Sequence, residues 1–209
     1  MPSKEQIESN KNEIITLLRT TRRAGIEEVI KYLNKSNFFY IWSSMNRHHN
    51  WCGGLAQHCL GVYKIAQKQS EGLSRDSVII AAMLHDICKA GMLKFDNQEE
   101  ITKRRIHIPG HGSRSVKLLE TVCHFKLTDD ERRAIRWHMG GKHAPDYAQH
   151  DVEMAHQSKL WQIIHAADHQ DAALGKNIIT AVKSSNKHLK LLEVKHWCLI
   201  YYIFFLPFF

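Results

Sequence analysis

The stretch "AAMLHDICKAG", residues 81–91, sets a histidine beside an aspartate in a run whose other members are mostly apolar or small. With Ser74 as an N-cap and Gly91 behind it, the segment through "VIIAAMLHDICKA" reads as a helix with a core-facing stripe. Burying an imidazole and a carboxylate is unfavourable unless each finds a strong partner, and a metal ion is the strongest available. The partners must come from elsewhere in the chain.

Outward from this run, apolar residues recur at helical spacing: Ile7, Ile14, Leu17 and Leu18; Ile26, Val29, Ile30 and Leu33; Leu160, Ile163, Ile164 and Ala167. The chain therefore reads as all-α. "TDDE" at 128–131 matches a capping box ahead of "RRAIRWHM", and Gly140-Gly141 stops that helix. Two stretches resist a helical reading, 43–54 and 92–110, and the second accommodates a short hairpin. Length predicts one domain over 1–209, with N-terminal helices in 1–37, a core at about 38–175, and a C-terminal helix and apolar tail in 176–209.

Composition narrows the class. With 209 residues, 44% hydrophobic and without repeats or low-complexity tracts, the chain excludes solenoid, collagen-like and disordered classes. A formal charge of +8 favours anionic partners. Cys52, Cys59, Cys88, Cys123 and Cys198 form no C-x-x-C pair, which argues against a zinc ribbon and fits a reducing compartment. "MPSKEQIESNKNEIITLL" lacks the apolar core of a secretory signal, so the cytoplasm is the expected location. The closing "CLIYYIFFLPFF" is too short for the roughly 20 apolar residues of a spanning helix, so no membrane partner is expected.

Fifteen histidines are too many to treat alike, and position selects among them. His58, the pair His85 and Asp86, His111, His138 and Asp168 fall on five helical segments, which a bundle can aim at one centre. Adjacent helical residues point about 100° apart, so His85 and Asp86 grip a metal from two sides while the carboxylate bridges two ions. Lys89, three residues beyond Asp86, shares its helix surface and is placed to meet a phosphate oxygen. His48, His49, His107, His143, His165 and His169 read as supporting, substrate-facing or solvated, with His165 or Asp171 expected to brace Asp168.

In this order, "GGLAQH", "LHDICK" and "AADHQDA" resemble the hallmark segments of the HD superfamily of metal-dependent phosphohydrolases, and "PGHGSRSVKLLE" and "LTDDERRAIRWHMGG" resemble especially its compact stand-alone bacterial or phage members. Cys88 departs from the glycine many relatives carry there. The resemblance implies an all-helical HD-domain bundle and hydrolysis of phosphoester or phosphoanhydride bonds. It implies a first metal held by His58, His85, Asp86 and Asp168, and a second reached by Asp86 and held by His111 and His138. Such imidazole and carboxylate sets suit manganese, iron, cobalt or zinc better than magnesium.

The expected function is a nucleotidase or cyclic-nucleotide-type phosphodiesterase, with a nucleotide or other phosphorylated small molecule as substrate. Asp86 and Lys89 are its expected catalytic residues, and Arg47, His48 and Arg114 are the candidates for gripping substrate phosphates. The alternatives are a 3'-to-5' exonuclease on single-stranded nucleic acid and a non-catalytic nucleotide- or nucleic-acid-binding module. The chain has neither a P-loop nor a G-x-S-x-G motif, which removes those hydrolase classes.

Overall fold

The computed structural model describes residues 2–44, 47–91 and 110–185, without the side chains of 179 and 181–185. In chain order the helices are α1 (Lys4–Thr20), α2 (Ile26–Lys35), α3 (Gly54–Ala66), α4 (Arg75–Leu84), α5 (His111–Thr121), α6 (Asp129–Arg136), α7 (Gln149–Gln157) and α8 (Lys159–Ser185). Among the described residues there is no β-strand, and the fold is all-α. No helix among them is long and apolar enough to cross a membrane. The hairpin expected within 92–110 and the apolar tail lie outside the described residues, apart from Gly110.

Local chemistry starts the helices where the sequence indicates. Ser74 accepts from the Ser77 N–H ahead of α4, and Thr128 and Glu131 form a reciprocal capping box ahead of α6. Glu131 has a second task. Fully buried, it receives both arms of the Arg23 guanidinium and the Ser77 hydroxyl, tying the α1–α2 turn to α4 and α6.

Burial sorts the helices into a centre and a rim. Every residue of α4 from Val78 to Leu84 is buried, and α3 hides nine of its side chains and glycines, so both are apolar nearly all round and lie inside. α3 packs against α4 on one side and α8 on the other, while α6 packs on both α4 and α8 and α5 packs on α6 and on the turn after α4. Leu55, Ile79, Ile80, Leu84 and Ile164 are fully buried here, each contributing about 1.5–3 kcal/mol of transfer free energy. Gly112 shapes the α5–α6 contact. A β-carbon at 112 would overlap the carbonyl oxygens of Ile135 and Arg136, so only glycine lets the start of α5 touch the end of α6.

Two helices end earlier than their sequence suggests. α4 stops at Leu84, and Asp86 leaves helical geometry at φ −110°, ψ 13°, before a single 3-10 turn over Ile87–Lys89. His85 and Asp86 thus sit on the helix end rather than inside a continuing helix. α6 likewise stops at Arg136, one turn before the glycine pair, with His138 in the turn that follows.

Candidate metal centre

The six expected ligands converge. His58 comes from the middle of α3, His85 and Asp86 from the end of α4, His111 from the first residue of α5, His138 from the turn after α6, and Asp168 from α8. Five of the six are buried, and the sixth, His111, has a side chain 20% exposed at the edge of the group.

Asp86 is at the middle, and its two oxygens face different ways. Oδ2 lies 3.4 Å from His85 Nε2 and 4.0 Å from His58 Nε2, and Asp168 Oδ1 lies 3.0 Å from His58 Nε2 and 4.0 Å from His85 Nε2. Oδ1 lies 3.5 Å from His111 Nε2 and 3.7 Å from His138 Nε2, which are themselves 2.9 Å apart. Ligands on an ion at about 2.1 Å are separated by roughly 3.0–3.4 Å along octahedral or tetrahedral edges; the two sets, at 3.0–4.0 Å and 2.9–3.7 Å, come close to that spacing and are in part wider. His85 Nε2 and Asp86 Oδ1 are buried without a hydrogen-bond partner, which is costly unless a cation serves them. The residues present fit a metal ion at each set.

The imidazoles are oriented from behind. His85 Nδ1 lies 2.9 Å from the Ala82 carbonyl and His138 Nδ1 2.7 Å from the Ile135 carbonyl. A carbonyl only accepts, so each Nδ1 carries the proton and leaves the Nε2 lone pair facing the centre. In a continuing helix the Ala82 carbonyl would accept from the Asp86 N–H; the His85 ring competes for it, and this is why α4 stops there. His58 Nδ1 donates instead to Asp171 Oδ2 at 2.6 Å.

Charge in the centre is balanced internally. Burial pushes the His138 imidazole down to about 3, helped by nearby His85, so it is neutral and ready to ligate. Burial alone would also depress His58, but the Asp168 and Asp171 carboxylates outweigh it and lift it to about 9. Burial would raise Asp86, yet the Lys89 ammonium and His85 hold it well below the usual carboxylate range. Asp168 is lowered too, its hydrogen bond and charge attraction to His58 overcoming its burial. Lys89 Nζ rests 2.5 Å from Asp86 Oδ2, with its side chain 22% exposed.

Several expectations shift. Asp171 braces His58, not Asp168, and His165 donates to the His138 carbonyl instead of meeting Asp168. Both share a face with Asp168 in sequence, but α3 and the α6 turn are the elements packed against that face. Lys89 contacts the carboxylate of Asp86 before any phosphate. Among the substrate candidates, His48 lies beside the centre, its ring 4.9 Å from that of His58, whereas Arg47 and Arg114 are exposed. His49, grouped in the sequence with the supporting, substrate-facing or solvated histidines, is a supporting one: it is buried with φ +46° and Nε2 3.5 Å from Asp171 Oδ2. Its trace in the sequence was glycine: β-carbons at Gly54 and Gly175 would overlap His49, and one at Gly61 would overlap Asp171. His107 lies outside the described residues, and His143 is exposed.

The model of the HD domain family matches residues 55–173, a span that contains all six converging residues and Asp171. The chain belongs to the HD domain family. No curated protein and no solved structure matches it. The family is mostly one of metal-dependent phosphohydrolases with some non-catalytic members, and the HD dipeptide itself is His85-Asp86.

Proposed function

We propose that this protein is a metal-dependent phosphohydrolase that cleaves a phosphoester or phosphoanhydride bond of a nucleotide, in the manner of a nucleotidase or cyclic-nucleotide phosphodiesterase. The observation that carries it is the Asp86 carboxylate, with Oδ2 toward His58 and His85 and Oδ1 toward His111 and His138. His58, His85, Asp86 and Asp168 would hold one divalent ion, and Asp86, His111 and His138 a second, with manganese, iron, cobalt or zinc matching the donors. Bound there, such ions supply Lewis acidity toward a phosphoryl oxygen and toward the attacking water.

The chain's own groups do the rest. Burial would lower the Lys89 pKa, but Asp86 raises it, so the ammonium stays charged at the edge of the centre and is placed to neutralise developing phosphate charge. His48 is held neutral by burial and the neighbouring His58, at about 3, and offers a ring nitrogen to the substrate rather than a charge. Arg47 and Arg114, exposed near the ends of the loop and helix that carry His48 and His111, would draw the anion in, aided by the net charge of +8. Among the described residues Cys59, Cys88 and Cys123 are free thiols, which supports a cytoplasmic setting.

The test is to load the full chain with Mn²⁺ and assay phosphate or nucleoside release from nucleoside mono- and triphosphates, cyclic nucleotides and short RNA, with His138→Ala alongside. Turnover on a nucleotide, lost with EDTA and in the variant, is expected. Degradation of RNA alone would move the substrate to single-stranded nucleic acid, and no turnover on any class would leave a binding module.

A further inference from the structure

The turn that carries His138 is held by a row of rings. Past the end of α6, carbonyls lose the partners a continuing helix would provide. Three ring nitrogens from α7 and α8 meet them: Trp161 Nε1 on the Trp137 carbonyl at 2.8 Å, His165 Nδ1 on that of His138 at 2.5 Å, and His156 Nε2 on that of Gly140 at 3.1 Å. Because a carbonyl only accepts, each of these nitrogens carries a proton. The rings support one another. Trp161 and His165 stack at 4.7 Å and 10°, with His156 4.4 Å from Trp161 at one end and His169 4.5 Å from His165 at the other. From the opposite side Asp151 accepts from Trp137 Nε1, Arg133 and Arg136.

We propose that His165 is a positioning residue for His138. Its Nδ1–H fixes the peptide plane after His138, so that His138 Nε2 stays against His111 Nε2 and Asp86 Oδ1. Behind the His138 ring lies the Ile135 carbonyl, and the chain beyond runs into Gly140 and Gly141 at φ +95° and +75°, where glycine offers little resistance to rotation. His165 lies one turn before Asp168 on α8. One helix therefore supplies a ligand to the first ion set and holds the backbone of a ligand in the second. The proposal rests on the two-ion reading above.

The test is calorimetric titration of the metal-free full chain with Co²⁺, comparing the parent with His165→Phe, His165→Asn and His165→Gln. Phe keeps a ring to stack on Trp161 but has no donor; the Asn amide places an N–H where Nδ1 was, and the longer Gln amide places it near Nε2. Loss of an outer-shell partner typically weakens metal binding about 10–100-fold, and that loss is expected at the second site alone in the Phe and Gln variants, with Asn close to the parent. If the parent binds a single Co²⁺, the two-ion reading fails. If the parent binds two and the Phe variant matches it, the positioning role is wrong. Equal weakening at both sites without rescue by Asn would show a general packing role and also overturn it. Should Phe not fold, Asn and Gln decide, and equal second-site affinities refute the proposal.

Discussion

His58 makes metal binding a proton-exchange reaction. In the metal-free protein its imidazole stands between Asp171 Oδ2, 2.6 Å from Nδ1, and Asp168 Oδ1, 3.0 Å from Nε2, and is lifted to about 9 from 6.5. At about 1.4 kcal/mol per pKa unit, that rise is worth roughly 3–4 kcal/mol. The folded pKa is raised, so this stabilisation is fully present below pH 6.5 and is lost as pH rises through 9. A metal ion needs the neutral Nε2, so binding at pH 7.5 must expel about one proton, and affinity should climb about tenfold per pH unit between 6.5 and 8.5. Calorimetric titration with Co²⁺ in two buffers of different ionisation enthalpy counts the proton. Urea unfolding of EDTA-treated protein over pH 6.5–9.5 measures the matching loss of stability. Zero proton release with pH-independent metal-free stability would refute the charged His58 and the bracket of carboxylates around it.

Three further outcomes test other parts of the structure. Asp86→Ala should reduce bound metal at both sets, read by elemental analysis of dialysed protein; a metal content equal to the parent's would refute the bridging position. Lys89→Met should lower kcat by on the order of 10² to 10³ and by more than it changes KM, with metal content retained, whereas near-parental kcat would leave Lys89 as a structural partner of Asp86. Glu131→Ala, remote from the centre, leaves the partly exposed Arg23 only the Lys126 carbonyl among the acceptors it has here and removes the acceptor of the Ser77 hydroxyl, and should cost roughly 1–3 kcal/mol in urea unfolding. A cost below about 1 kcal/mol would mean that Arg23 finds solvent and that the pair does not tie the helices together.

The helices were legible because their signals are local. The α4 and α6 caps depend on residues within three positions of each other, and the apolar stripes of α1, α2 and α8 depend on spacing alone. The six converging residues were legible because their order along the chain is itself a pattern. What braces them was not. Whether Asp171 serves Asp168 or His58 depends on which helix lies across from α8, and α3 approaches that closely only because Gly61 has no side chain to meet Asp171. Which role His49 takes was not legible for the same reason: its neighbours include Asp171 and Gly175, more than a hundred residues away, as well as Gly54 nearby.

The two early helix ends share a contact but break at different points relative to it: α4 leaves helical angles at Asp86, after His85, whereas α6 has already left them at Trp137, φ −109°, ψ 15°, before His138. In each case a histidine at position i directs Nδ1 at the carbonyl of residue i−3, the acceptor that the N–H of residue i+1 would use if the helix went on. The same contact that turns Nε2 toward the centre therefore weakens the helix just after the histidine. At His85 the next residue is Asp86, which leaves helical angles and lies between both histidine sets, where two residues held about 100° apart on a regular helix could not both point. At His138 the chain moves on to glycines, and rings from α7 and α8 take up the carbonyls that α6 has released. Orienting the His85 imidazole through its own helix thus delivers the shared carboxylate, whereas the turn that carries His138 opens at Trp137 and is one that another helix must hold.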